Sequence, residues 1–95
     1  MSTISLTSTI QQRASIQAAE LSPTESVMLD IEKGSYYGAE AVSKRIWEQL
    51  VEPISVSSIC DALLAEYEVD RATCESQTLA YLQQLADAEL ITVSE

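Results

Sequence analysis

Ser26 to Leu50 reads SVMLDIEKGSYYGAEAVSKRIWEQL, and the period of its apolar residues changes partway through. Val27, Leu29 and Ile31 alternate with Met28, Asp30 and Glu32, the period-2 pattern of a half-buried strand. The strand's apolar set is then Val27, Leu29 and Ile31, and Asp30 and Glu32 fall on a solvated outer face. Lys33-Gly34 supplies a turn, and Tyr36-Tyr37-Gly38 reads as a short second strand. From Glu40 onward Val42, Ile46, Trp47 and Leu50 recur at helical spacing, so a hairpin runs directly into an amphipathic helix.

Upstream, Ile4, Leu6 and Ile10 stand at even spacing in a Ser/Thr-rich stretch, read as an N-terminal arm or edge strand over residues 1–12. Arg13 to Glu20, with Ile16 and Ala18 on one face, makes a further strand, and Ser22-Pro23-Thr24 turns it into the hairpin. Downstream, Glu52-Pro53 stops the first helix near Val51. Ser55 caps a second helix that carries Ile59, Leu63, Leu64 and Tyr67. Asp70 caps a third, from about Arg71 to Ala88, with Leu79, Leu82, Leu85 and Ala86 on one stripe. Leu90 to Val93 leaves it as a tail or short strand. The expected fold is therefore α+β and winged helix-turn-helix-like: a three-stranded antiparallel sheet followed by three helices, with residues 13–95 as the domain proper.

The chain has 95 residues, 46% of them hydrophobic, enough for one modest core. The N-terminus lacks a basic start and an apolar block, and no apolar run approaches membrane-spanning length, which makes the cytoplasm the expected compartment. Cys60 and Cys74 occur without histidine and without a CxxC, so no zinc set is expected and both thiols read as buried small apolar residues. A disulfide would require their helices to lie side by side, against the redox poise of the cytoplasm.

The net charge is −10, and from Glu48 onward ten acidic residues face Arg71 alone. Such a surface repels phosphate and favours a neutral or basic partner. A third helix with Arg71 against Glu75, Asp87 and Glu89 argues against nucleic acid, whose binding takes several cations. Catalytic equipment is missing as well. There is no histidine for base catalysis, no Gly-rich phosphate loop with only Gly34 and Gly38 present, and no close nucleophile–base pair. The chain reads as a binding protein without a cofactor.

Several motifs in order carry a resemblance. They are Val27-Met28-Leu29-Asp30, then Gly34 with Tyr36-Tyr37, then Ile46-Trp47 with Leu50, then Leu64 with Tyr67, Val69 and Asp70, then Tyr81-Leu82, Leu85 and Leu90-Ile91. Together, over about residues 13 to 93, they resemble the coenzyme PQQ synthesis protein D-like family, also called RiPP recognition elements. The sequence departs from that pattern at Ala39-Glu40, where Leu-Asn is usual and would cap better, and at Glu89, where glycine would end the third helix in a left-handed conformation.

The resemblance implies a non-catalytic module that binds the leader segment of a ribosomally made precursor peptide. It would then deliver the peptide to a separate modifying enzyme: a leader peptidase or cyclase of the lasso peptide type, which the Tyr36 to Glu40 region resembles. The alternatives within and beyond the family are a chaperone for a radical SAM enzyme in another peptide pathway, a structural adaptor without a peptide ligand, and a winged-helix transcriptional regulator. Since the chain ends soon after its third helix, no fused enzyme domain is expected. The leader would add as a strand beside Ser35, Tyr36, Tyr37 and Gly38, and Cys74, Gln77, Thr78 and Tyr81 would form the opposite wall. Only one of Tyr36 and Tyr37 can face that groove. An acidic rim would suit a leader carrying lysines or arginines.

Overall fold

The computed structural model describes residues 4–94, so the first three residues of the expected arm lie outside it. Its elements in chain order are β1 (Thr9–Gln12), β2 (Ile16–Ser22), β3 (Glu25–Asp30), β4 (Ser35–Glu40), α1 (Val42–Gln49), β5 (Ile54–Ser55), α2 (Val56–Glu66), α3 (Arg71–Asp87) and β6 (Ile91–Ser94). The expected three-stranded antiparallel sheet is β2-β3-β4, and three helices follow it.

A second antiparallel sheet, ordered β5-β1-β6, joins the two ends of the domain. Thr9–Gln12 is thus a middle strand and not an arm or an edge. The reason is long-range burial that a local pattern cannot display: Ile10, Leu90 and Ile91 are all core residues, and pairing β1 with β6 covers them together. The segment before β1 also finishes α2. Two backbone N–H groups at the start of that helix, on Val56 and Ser57, donate to the carbonyls of Ser8 and Leu6 at 3.1 and 3.0 Å, which satisfies donors that a helix start leaves free.

The phase of β3 is opposite to the one its apolar residues imply. Met28 and Asp30 face inward, 1% and 3% exposed, whereas Leu29 and Ile31 are 42% and 62% exposed. The turn decides this. Asp30 Oδ1 accepts the backbone N–H groups of Glu32 and Lys33 at 3.1 and 3.2 Å, and the Asp30 carbonyl accepts that of Gly34 at 2.8 Å. A carboxylate tied to two backbone donors tolerates burial, and Gly34 at φ +68° completes the reversal. Ile31 and Glu32 therefore belong to the turn, and the outward pairing of Asp30 with Glu32 does not occur.

β4 runs on to Glu40, and α1 begins only at Val42, two residues later than its spacing implies. Its N-cap, Ala41, has φ +50° and no side-chain hydrogen bond, matching the poor capping expected at this point. What holds α1 is its buried face: Ile46, Trp47 and Leu50 are in the core, with Trp47 only 2% exposed. Lys44, also buried, donates to Glu20, Glu48 and the Pro23 carbonyl, which ties α1 to β2. The Ser55 and Asp70 caps form as expected, accepting from Ser58 N and Thr73 N.

The end of α3 departs from expectation. Glu89 takes the left-handed conformation itself, at φ +63°. Its N–H donates to the Ala86 carbonyl and that of Leu90 to the Leu85 carbonyl, the paired bonds of a Schellman motif. Burial of Leu90 and Ile91 requires the sharp stop, and an ion pair with Lys33 holds the strained residue in place.

Two outcomes check this account. Trp47→Ala should lower stability by roughly 3 to 5 kcal/mol in denaturant melts, because a fully buried aromatic leaves a cavity; a loss below about 1 kcal/mol would place the ring at the surface. Glu89→Gly should move the denaturation midpoint upward, since it relieves the left-handed strain while giving up only a solvent-screened ion pair. A lower midpoint would mean that the Lys33 contact outweighs the strain.

Candidate peptide-binding groove

β4 is the edge of its sheet that lies beside the helices. The Ala41 N–H donates to the Thr24 carbonyl at 2.8 Å, so the pairing of β4 with β3 places the bonded positions at Ser35, Tyr37 and Ala39. The alternation of an antiparallel ladder turns the N–H and C=O groups of Tyr36, Gly38 and Glu40 outward, toward open space. β2 is the other edge of this sheet, but from Gln17 to Leu21 every residue is exposed.

Along β4 runs a groove with two deeper parts. One, about 220 Å³, is lined by Tyr37 and Gly38 of β4, Met28 of β3, and Tyr81, Gln84, Leu85, Ala88 and Leu90 of α3 and its end. The other, about 270 Å³, lies beyond the end of β4 between α1, α2 and α3, with walls that include Val42, Ser43, Ile46, Tyr67, Val69 and Cys74. Tyr81 lines both and joins them. No Asp, Glu, Lys or Arg lines either cavity, so in a chain of charge −10 the groove is apolar with hydroxyl, thiol and amide groups.

The alternation of β4 separates its two tyrosines. Tyr37 turns into the groove, and Tyr36 is 73% exposed on the outer face; what Tyr36 brings to the edge is its backbone. Gly38 lines the wall, and Ser35 sits at the start of the strand with its hydroxyl buried and unpaired. On α3, Cys74, Gln77, Thr78 and Tyr81 share the larger cavity, and of the four only Tyr81 also lines the cavity beside Tyr37 and Gly38 of β4. Gln84 and Ala88 extend it, and they were findable by continuing the stripe from Gln77 and Tyr81 at helical steps. Val42, Ser43 and Ile46 were not, because their position depends on where α1 begins.

The Tyr81 hydroxyl is buried without a hydrogen-bond partner. Burial pushes its pKa above the usual value, and Ser43 lies close enough to moderate the shift, though outside hydrogen-bonding geometry. Cys60 and Cys74 are free, both buried, and adjacent across α2 and α3. Burial pushes the Cys60 thiol up, with the nearby Thr78 partly opposing the shift, which leaves it a poor nucleophile near neutrality. Among the described residues no cluster of His, Cys, Asp or Glu is arranged for a metal ion, and no helix is long and apolar enough to cross a membrane.

Four of the five Lys and Arg side chains are engaged by carboxylates. Arg71 is engaged by Asp61 and Glu75, Arg45 by Glu66, Lys44 by Glu20 and Glu48, and Lys33 by Glu89. The start of α3 therefore offers a phosphate backbone nothing, which counts against a DNA-reading role for that helix.

Because Tyr81 is buried as the neutral phenol, it contributes stability that is complete below the unfolded-state pKa of about 10 and is lost as pH rises toward its higher folded value. Urea melts should show wild type weakening above about pH 10 more steeply than Tyr81→Phe, with the variant no less stable at pH 7 since the hydroxyl it removes has no partner. Parallel pH profiles would place Tyr81 in solvent.

The family model described as coenzyme PQQ synthesis protein D (PqqD) matches residues 25–91, more than half of the chain. A solved structure described as "TbiB1 in Complex with the TbiA(beta) Leader Peptide" superimposes with a TM-score of 0.80 at 37% identity, over 85% of this chain and 93% of that one. A second, "Lasso peptide synthetase B1 complexed with the leader peptide", gives a TM-score of 0.76 at 24% identity, over 87% and 96%, and at that identity speaks for the fold alone. Among curated protein sequences none matches.

Proposed function

Since the chain belongs to the coenzyme PQQ synthesis protein D family, we propose that it binds the leader segment of a ribosomally synthesised precursor peptide and delivers that peptide to a separate modifying enzyme. The observation that carries this reading is an uncharged groove lying along an unpaired strand edge. The similar TbiB1 structure, which holds a leader peptide, supports the same reading.

The leader adds to β4 as a fourth strand of the β2-β3-β4 sheet. The outward N–H and C=O groups of Tyr36, Gly38 and Glu40 hold its main chain. Its inward side chains recur every second residue, roughly 7 Å apart. They enter the groove between Tyr37, Gly38 and Tyr81, and one beyond the strand's end reaches the cavity walled by Cys74, Gln77 and Thr78. Those leader residues are apolar or neutral, because a charged side chain would lose its water there without a counter-ion. Ser35 positions the start of the strand through its backbone. The protein catalyses nothing itself and works in the cytoplasm beside a leader peptidase or cyclase.

Calorimetric titration with a synthetic leader tests the geometry. Tyr36→Pro removes an outward donor and spares the β3–β4 ladder, so it should weaken binding at least tenfold while circular dichroism stays native. Tyr37→Pro breaks the ladder bond to Met28 and should also cost stability. Tyr81→Ala should weaken binding by about 1 to 3 kcal/mol as a groove-filling aromatic. Undiminished affinity in a folded Tyr36→Pro variant would sink strand addition at β4.

A further inference from the structure

The phase of β3 leaves an apolar surface that leader binding does not use. Val27 and Leu29 point outward, with Tyr36 of β4 directly across from Leu29 and Ala19 of β2 across from Val27. Leu29 and Tyr36 are 42% and 73% exposed on the face opposite Met28 and Tyr37, and Ile31, 62% exposed, follows at the turn two residues after Leu29. A contiguous apolar patch on so small a domain marks a surface that another protein covers.

One end of this face carries Glu25 and Glu40, which stand directly opposite each other across the β3–β4 ladder. Like charges in that position destabilise a sheet. The Glu25 carboxylate accepts the Ser22 hydroxyl, and neither carboxylate is in an ion pair among the described residues.

We propose that the enzyme acting on the leader-bound peptide docks on this outer face, setting apolar side chains against Leu29, Ile31 and Tyr36 and basic ones against Glu25 and Glu40. The assignment rests on the leader-binding reading above. Charge selects the class of partner: a second copy would bring another −10 and the same pair of carboxylates, whereas Lys or Arg beside an apolar centre relieves their repulsion. Position selects its role. Tyr36 presents its backbone to the peptide and its side chain to this face, so a protein seated here lies within reach of a chain held along β4.

The test uses the precursor peptide, its isolated leader and the pathway's leader peptidase, with Leu29→Asp, Ile31→Asp and Glu25→Lys variants of this protein. All three positions lie off the groove, so leader titration should stay within about twofold of wild type, with native circular dichroism. Cleavage of the precursor should fall at least tenfold in Leu29→Asp and Ile31→Asp, and fall in Glu25→Lys more at low salt than at high salt. Wild-type cleavage rates in folded, leader-binding Leu29→Asp and Ile31→Asp would overturn the docking face and leave the leader reading standing. Failure of the wild type to bind leader would overturn both. Sedimentation showing a wild-type dimer that Leu29→Asp disperses would give the face to a second copy and overturn the proposal.

Discussion

The two hydrogen bonds that Asp30 Oδ1 accepts from Glu32 and Lys33 are the contact on which the groove's geometry depends. They lock the turn between β3 and β4, and with it the register in which Met28 faces Tyr37 and Leu29 faces Tyr36. A slip of one residue would send Tyr37 to solvent and Tyr36 into the groove. It would also exchange the backbone groups that bond β3 for those that stand free at the edge. One buried carboxylate therefore sets the groove wall, the open edge and the apolar outer face together.

The second sheet fixes the opposite wall. β6 can pair with β1 only if the chain turns sharply after α3, and the Schellman bonds at Glu89 and Leu90 make that turn. Leu90 is fully buried, lines the smaller cavity, and its carbonyl accepts the Arg13 N–H at 3.1 Å. The distance between α3 and β4 is thus governed from the chain ends, far in sequence from either. Lys33 on the hairpin and Glu89 after α3 tie the same two elements from outside.

Much of this was legible in the sequence. The Ser55 and Asp70 caps, the burial of Trp47 and the stripe of α3 follow from local rules of capping and helical period, which act within a turn or two. The phase of β3 was misleading because Val27, Leu29 and Ile31 are the more apolar set, while the turn chemistry of Asp30 and the volume of Met28 favour the other. The place of β1 was hidden for a different reason: its partners, β5 and β6, lie more than forty residues away, and sequence periodicity carries no information on pairing at that range. For the site, the pairing of a β4 edge with an α3 wall came from the family resemblance, and helical period named which α3 side chains share one side, whereas the larger cavity depends on where α1 begins, and Glu40 gives no sign that the strand continues through it.

That junction explains the strain at Ala41. β4 must stay extended through Glu40 to keep a third outward backbone position at the edge, yet Val42, Ser43 and Ile46 must already be helical to wall the larger cavity. Ala41 alone is left to change direction, at φ +50° and ψ −115°, with no side chain able to cap the helix that follows. Conformations of this kind cost of order 1 to 3 kcal/mol in non-glycine residues and persist where the surroundings over-determine them. Here the Ala41 N–H is held by Thr24 and its carbonyl by Arg45, while Ala39 and Ile46 are buried on either side. The strain is the consequence of joining an open strand edge to a cavity without a loop between them. A loop inserted at Ala41 would relieve it, and would also separate the edge that grips a peptide's main chain from the cavity that sorts its side chains.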